Sequence, residues 1–346
     1  MMDSLSRRMG RARLPSLGAA ADIYLLLTFS LIMIGVFGAL NPAWLSLQTL
    51  LTAIEQNAPL AVVAMAMTFS IIAGIIDLSP GSLIALTGVI IGLTNQHAHN
   101  LFVAILAGLV VAVAISAFNG FLVVALRINA VIVTLAAYIW ARGLATGLTG
   151  TSSIAIGGPF IDFMNSFSAL GLSAPIYIVA FAYLGGWFLL TRTRFGLHTR
   201  ATGGDARGAR RAGINTHRQV IAIFCLMGAM VTVGAIISVS QMASAQPLTA
   251  SGLELDAIIA VIIGGSRLTG GEGSVIKTLA GVIFIAVLNN GLSNVGISDA
   301  PFAVYKGCAI LAALTLQTLA RRRAERLRVQ ADLARGSEAS LTMRAP

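Results

Sequence analysis

The chain has 346 residues, of which 57% are hydrophobic and only 10% are charged, and its formal net charge is +10. A soluble protein of this length could not cover its surface with so little charge, so the composition excludes a soluble globular domain and indicates a membrane protein. The positive charge does not indicate a nucleic-acid partner, because most of the basic residues lie in certain loops and tails, a pattern typical of membrane topology.

Apolar runs long enough to cross the hydrocarbon core of a bilayer recur along the whole chain. We therefore predict an all-α, polytopic membrane protein with about ten transmembrane helices. The first run is too long for the apolar region of a cleaved signal peptide, so we interpret it as a span. In chain order the predicted spans cover 19–40, 49–74, 78–94, 101–125, 129–148, 173–190, 219–240, 253–266, 273–293 and 301–320.

The basic residues predict the orientation of these spans. Lysine and arginine are concentrated before the first span, between Arg192 and Arg218, and from Arg321 onward. They are absent from alternate loops, namely 41–48, 95–100, 149–172, 241–252 and 294–300. Cytoplasmic loops of membrane proteins carry the excess of basic residues, so we expect both termini in the cytoplasm. The predicted organisation is a basic tail at 1–18, a transmembrane domain at 19–320 with a cytoplasmic loop at 191–218, and a charged tail at 321–346.

The cytoplasmic loop 191–218 contains glycines that flank a predicted short helix at 205–212. Asp205 lies at its amino-terminal end, where a carboxylate caps free N–H groups and complements the helix dipole. The segment 149–172, predicted on the opposite side of the membrane, contains no lysine or arginine. It is long for a loop, which is typical of a functional segment.

Polar residues in or near the spans are candidates for a solute pathway or gate. Asp77 and Ser79 precede Pro80, a pattern that predicts a helix restart capped by Ser79. Ser251 and Glu254 have capping-box spacing, which leaves Asp256 as an unexplained ionisable residue near a span. A purely structural role is the open alternative for each of them.

Amides and hydroxyls embedded in apolar sequence are the remaining pathway candidates, with interhelical hydrogen bonding as the alternative role. These residues are Asn57, Asn119, Asn129, Thr134, Asn289 and Asn290. Three basic residues, Arg142, Lys277 and Lys306, also lie within predicted spans.

No segment predicts catalysis or cofactor binding. The segment 271–278 superficially resembles a phosphate-binding loop, but no glycine directly precedes Lys277 and no strand leads into it. We recognise no nucleophile–base arrangement and no metal-ligand cluster, so we expect no enzyme activity, no cofactor and no ATP hydrolysis by this chain. The segments 72–84 and 263–276 are weakly similar to each other, and broken helices at paired positions often line transport pathways.

Several motifs in this order resemble the membrane-spanning permease subunits of bacterial ABC importers for ribose and other simple sugars. The resemblance covers nearly all of 50–320. It is carried by A-G-I-I-D-L-S-P-G-S (73–82), F-N-G (118–120), R-I-N-A-V-I-V-T-L (127–135), G-G-D-A-R-G-A-R-R-A-G-I (203–214), S-A-Q-P (244–247), G-L-E-L-D-A-I-I-A-V-I-I-G-G-S (252–266) and N-N-G-L (289–292).

The resemblance implies a multi-pass protein of the bacterial inner membrane that conducts a ribose-like pentose or a hexose. Its implied partners are an ATP-binding cassette subunit, a periplasmic sugar-binding protein and a second permease subunit, identical or different. The loop 191–218 would then be the ATPase coupling element, with Gly203, Gly204, Asp205, Arg207, Arg210, Arg211 and Gly213 as its candidate residues.

The chain departs from the family pattern at a few positions. Ile75 and Pro80 replace a glycine and a valine, Ala130 replaces a proline, and Asp205 replaces an asparagine in the coupling element. The alternative function is an autonomous secondary transporter or channel for a small polar solute, which would need its own coupling-ion or proton site.

Overall fold

The computed structural model of the chain describes residues 17–296, 301–315 and 318–319. Its helices are α1 (Leu17–Leu40), α2 (Leu47–Gln56), α3 (Ala58–Ile72), α4 (Pro80–Ala98), α5 (Leu101–Ala125), α6 (Ala130–Thr149), α7 (Pro159–Ser166), α8 (Ala174–Arg192), α9 (Arg194–Gly204), α10 (Ala206–Arg211), α11 (Thr216–Met242), α12 (Leu253–Ile263), α13 (Val275–Asn294) and α14 (Pro301–Thr315). A 3₁₀-helix, Pro42–Leu45, precedes α2. Most of the two predicted tails lies outside the described residues.

Four strands of two residues each complete the secondary structure of the described chain. β1 (Ile154–Ala155) pairs antiparallel with β4 (Ser244–Ala245), and β2 (Ser168–Ala169) pairs with β3 (Leu172–Ser173). The long segment 149–172, which has no lysine or arginine, therefore contains β1, α7 and β2. The pairing of β1 with β4 connects it to the residues that follow α11.

Five helices of the described chain, α5, α6, α8, α11 and α13, are each long and apolar enough to cross a membrane. The pair α2 and α3 adds a sixth if it forms one bent span. The protein is therefore a helical, polytopic membrane protein, as predicted. α1, α4, α12 and α14 coincide with the other predicted spans, but length and composition alone do not establish that they cross, so the ten-span topology stays a prediction.

The predicted span 49–74 is divided into two helices that meet at an angle of 55°. Asn57 ends α2, and Pro59 lies in the first turn of α3. Proline has no N–H group, so it cannot donate to the carbonyl four residues earlier. That carbonyl, on Glu55, instead accepts a hydrogen bond from Gln241 Nε2 at 2.7 Å.

The hydrophobic core surrounds α3, in which every residue from Ala58 to Ile72 is buried. α3 packs against α8, α11, α12 and α13. Large apolar side chains on the outer helices remain exposed, for example Phe102 on α5 and Phe181 on α8 at 75% and 72%. A helix apolar on all sides is typical of a membrane span, because lipid covers the outward face.

The two similar segments of the sequence lie next to each other in the fold. The segment 73–79 separates α3 from α4, and the segment 264–274 separates α12 from α13. Gly271 N–H donates to Ile72 O at 2.8 Å, which joins the two breaks. Gly74, Gly270 and Gly271 all have positive φ values, a conformation that side chains disfavour.

Candidate functional site

A polar cavity of about 210 Å³ lies at the bend between α2 and α3. The end of α11 and the non-helical residues before α12 form its other walls. The lining residues are Gln56, Asn57, Pro59, Leu60, Ser238, Gln241, Met242, Thr249, Ala250, Ser251, Leu253 and Asp256. The bend between α2 and α3 and the non-helical segment between α11 and α12 therefore create this cavity, since a continuous apolar helix would leave few polar groups facing it.

The polar groups of the cavity are mainly neutral amides and hydroxyls. Asp256 is the one ionisable lining residue, and its Oδ2 lies 2.6 Å from Lys306 Nζ on α14. The two side chains are only 15% and 19% exposed, so their charges compensate each other away from water. A cavity of this kind matches a neutral solute with many hydroxyl groups better than it matches an ion.

The predicted pathway residues Asn57, Asn289 and Asn290 come together at this bend. Asn289 Nδ2 donates to Asn57 Oδ1, and Asn290 Nδ2 donates to Gln56 Oε1, both at 3.2 Å. Trp44 Nε1 donates to Asn290 Oδ1 at 2.7 Å. Asn57 lines the cavity, whereas the two α13 asparagines hold α13 against the bend, which is the alternative role considered for them.

The prediction that Ser79 caps α4 is wrong. Its side chain makes no capping hydrogen bond to α4. Instead, Asp77 Oδ1 accepts from the Ser79 N–H at 2.9 Å and from Ser79 Oγ at 2.6 Å. The side chain of Asp77 closes its own turn before Pro80, which occupies the first turn of α4 as predicted.

The predicted capping box of Ser251 and Glu254 is also wrong. The N-cap residue of α12 is Gly252 and not Ser251, and its φ of +80° is one that a serine would not readily adopt. Ser251 Oγ instead donates to Leu248 O at 2.8 Å. The Glu254 side chain is buried against Gly81 at the start of α4. The amino-terminal ends of α4 and α12 therefore abut, and Glu254 lies between them.

Arg142 on α6 is a site residue that the sequence reasoning did not select. Its Nη1 donates to Pro247 O at 2.9 Å and to Thr249 O at 2.7 Å. It thereby satisfies carbonyls of the non-helical segment that leads into α12. Its position inside a predicted span could have identified it from the sequence, because an arginine there requires polar partners.

The remaining candidates do not line the cavity. Asn119 is buried on α5, and Asn129 is an exposed residue whose side chain accepts from Val131 N–H at the start of α6. Thr134 Oγ1 donates to Ala130 O on its own helix at 2.9 Å. The structural role considered for these residues accounts for Asn129 and Thr134.

The short helix predicted within the basic loop 191–218 is present as α10. Asp205 caps it, with Oδ1 accepting from Arg207 N–H at 3.0 Å. Hydrogen bonds from the Gly208 and Arg207 N–H groups, together with the nearby Arg211 and Arg207 charges, lower the pKa of Asp205. Gly203 and Gly204 end α9, and Gly213 has a φ of +83° just after α10.

An apolar helical bundle with a bent span, and a cavity with polar side chains at that bend, are typical of a membrane transport protein. The chain belongs to the permease family described as the permease component of branched-chain amino acid transport systems, whose profile matches residues 49–316. Family membership confirms the predicted permease class and the location in the inner membrane as a multi-pass protein.

Curated relatives of the chain are sugar permeases. The ribose import permease protein RbsC of Escherichia coli K12 is 34% identical over 290 residues, which cover 82% of this chain and 90% of RbsC. The L-arabinose transport system permease protein AraH of the same strain is 36% identical over 73% of this chain and 77% of AraH. The D-allose transport system permease protein AlsC is 30% identical over 83% of this chain and 89% of AlsC. No solved structure matches the chain significantly.

Proposed function

We propose that this chain is the membrane-spanning subunit of an ATP-binding cassette importer and forms the pathway of a simple sugar. The observation that carries the proposal is the cavity at the α2–α3 bend, with its neutral amides and hydroxyls and its charge-compensated Asp256. Hydroxyl-rich solutes are bound by such donors and acceptors placed in a concave site. The relatives are permeases for ribose, L-arabinose and D-allose, which supports a pentose or hexose as the solute.

The proposed importer needs partners that this chain does not supply. A periplasmic binding protein delivers the sugar, a second permease subunit completes the pathway, and a separate cassette subunit hydrolyses ATP. We assign the coupling role to the loop containing α9 and α10, with Gly203, Gly204, Asp205, Arg207, Arg210, Arg211 and Gly213. Asp77, Ser79 and Glu254, at the abutting ends of α4 and α12, are proposed as the gate region.

Replacement of Thr249 by valine tests the cavity. Thr249→Val removes one hydroxyl from the lining and keeps the side-chain volume. We expect the transport kcat/KM for the sugar to fall about fivefold, because one hydrogen bond contributes on the order of 1 kcal/mol. Stimulation of ATP hydrolysis by the loaded binding protein should persist. Thr52→Val is the matched control, because Thr52 bonds within α2 to Gln48 O and does not line the cavity.

Proteoliposomes that hold this chain alone separate the proposal from an autonomous transporter. We expect no sugar uptake under a proton or sodium gradient, and no ATP hydrolysis by the isolated chain. Gradient-driven uptake without any cassette subunit would contradict the proposal and favour a secondary transporter or channel.

A further inference from the structure

A second, larger cavity lies at the other end of the bundle from the α2–α3 bend. Its volume is about 750 Å³, and it is bounded by the end of α5, by α10 and by the start of α11. The lining residues are Ala73, Val123, Val124, Arg127, Thr202, Ala206, Arg207, Arg210, Arg211, Thr216, His217 and Val220. The charge asymmetry of the sequence predicts that this end faces the cytoplasm.

The ionisable residues that line this cavity are all basic: Arg127, Arg207, Arg210, Arg211 and His217. None of these side chains forms an ion pair within the described part of the chain. Asp205 caps α10, and the charges of Arg207 and Arg211 lie near its carboxylate. Four arginines around one cavity repel each other, so an anion placed there would lower the electrostatic energy.

Two buried hydroxyls of the lining have no partner. Thr202 and Thr216 are only 7% and 4% exposed, and neither Oγ1 atom makes a hydrogen bond within the described structure. Both Oγ1 atoms are closed off from solvent, so a ligand in the open cavity meets the arginines and not these hydroxyls. Guanidinium groups bind phosphate through paired hydrogen bonds.

Part of the cavity lining is apolar. Val123 and Val124 come from the last turns of α5, and Val220 comes from the first turns of α11. Near these valines, Phe121 on α5 and Leu126 directly after α5 are 51% and 61% exposed. The cavity therefore has cationic lining residues and lies next to the lipid-facing surface of α5 and α11.

We propose that this cavity binds the phosphate headgroup of an anionic phospholipid from the cytoplasmic leaflet, with its acyl chains lying along α5. A free phosphate would use the arginines but not the apolar part of the lining, and an acidic protein segment would not need contact with lipid-facing helices. Basic pockets between spans on the cytoplasmic side suit such headgroups. Because three of the arginines lie on α10, the bound lipid also holds the coupling helix in place. The lipid site does not depend on which solute is transported.

Native mass spectrometry of the purified chain tests the site directly. The protein is titrated with phosphatidylglycerol, with phosphatidylcholine and with inorganic phosphate. We expect one phosphatidylglycerol to bind in preference to phosphatidylcholine and to resist millimolar phosphate. Arg127→Gln should weaken phosphatidylglycerol binding about fivefold, in line with the contribution of one arginine at a membrane surface.

Arg218→Gln is the matched control, because Arg218 lies on α11 directly after His217 and does not line the cavity. It should leave lipid binding unchanged. Equal losses in the two variants would show that general surface charge retains the lipid, and the proposal would be overturned. Displacement by inorganic phosphate would assign the cavity to a free anion and would also overturn it.

Two further measurements keep the proposal testable. If Arg127→Gln does not fold, Arg211→Gln serves in its place, since it removes another cationic side chain of the lining; it should also weaken binding of phosphatidylglycerol. The cassette subunit is then added to the wild-type chain loaded with lipid, and the lipid should remain bound. Complete release of the lipid on assembly would identify the cavity as a protein docking surface instead.

Discussion

Gly203, in the last turn of α9, packs directly on the carbonyl oxygen of Ile72 at the end of α3, and no side chain would fit between them. The same carbonyl accepts a hydrogen bond from Gly271 N–H at 2.8 Å. A glycine of the basic loop 191–218 therefore contacts both breaks of the membrane domain, 73–79 and 264–274. Movement of α9 would be transmitted to the starts of α4 and α13 through this backbone contact.

Gly203→Ala is expected to disturb coupling, because its Cβ would overlap Ile72 O and crowd Gly271 N at 2.8 Å. Backbone atoms cannot move away as a flexible side chain can, so α9 must shift. Overpacking of this kind costs roughly 1–3 kcal/mol. We expect a lower thermal stability and a clear loss of sugar-stimulated ATP hydrolysis in the reconstituted importer.

Gly204→Ala is the comparison, because the nearest atom to its Cβ, Gly271 Cα, lies 3.9 Å away. Its effect on stability and stimulated hydrolysis should be much smaller. Similar losses in both variants would mean that helix propensity rather than the contact with Ile72 matters, and the proposed connection would fail.

Loss of one partner of the Asp256–Lys306 ion pair is expected to reduce stability more than loss of both partners. Lys306→Met leaves Asp256 charged and largely buried, which should destabilise the protein by about 3 kcal/mol. The double variant Asp256→Leu with Lys306→Met should recover most of that loss, because no charge then lacks a partner. Thermal melting of the purified chain in detergent measures both effects.

Transport by the same double variant distinguishes two roles of Asp256. Asp256 also lines the cavity at the α2–α3 bend. If stability returns but sugar uptake does not, the carboxylate acts in the pathway. A double variant as unstable as Lys306→Met would contradict the view that the uncompensated charge causes the loss.

Asp205 is expected to support the coupling helix throughout the neutral range of pH. Its folded pKa is lowered, so its contribution is present above the unfolded pKa of about 3.9 and is lost only as the pH falls through the folded value. Asp205→Asn keeps an oxygen that caps α10 and should retain most of the stimulated ATP hydrolysis, whereas Asp205→Ala should not.

The measurement is stimulated hydrolysis by the two variants and the wild type between pH of about 6 and 8. The wild type and Asp205→Asn should keep a constant ratio over this range, because Asp205 stays ionised. A ratio that changes near neutral pH would show that Asp205 titrates there and would contradict the lowered pKa.

The sequence was sufficient to predict the helical membrane class, the positions of most long helices and the short helix α10 with its Asp205 cap, but not α7 or α9. These features depend on local properties, namely apolar runs, glycines and the charge of a single side chain. The bend at Asn57 was not predicted, although Pro59 is visible in the sequence. The bend leaves the Glu55 carbonyl without a helical partner, and the side chain that donates to it, Gln241, lies far along the chain.

The site was predicted only in part for the same reason. Capping by Ser79 and by Ser251 followed from local spacing, but the packing of α12 against α4 places Gly252 at the helix start and Glu254 against Gly81. Arg142 was identified as a basic residue within a span, yet its partners are carbonyls of a distant segment. Contacts between distant segments cannot be derived from the spacing of residues in one sequence.

Labelling of single cysteines tests the ten-span topology. The native Cys225 and Cys308 are first replaced by serine, so that one introduced thiol reports its own side. His97, Ser166 and Arg218 are all exposed, and each therefore accepts a probe without disturbing the core. Loops free of lysine and arginine face outward in the predicted topology, whereas the basic loop faces the cytoplasm.

A membrane-impermeant maleimide added to intact spheroplasts should label His97→Cys and Ser166→Cys but not Arg218→Cys. Arg218→Cys should react only after the membrane is permeabilised, which also controls for thiol reactivity. Labelling of Arg218→Cys in intact spheroplasts, or protection of either outer position, would invalidate the topology. It would also remove the coupling loop and the proposed lipid site from the cytoplasmic side.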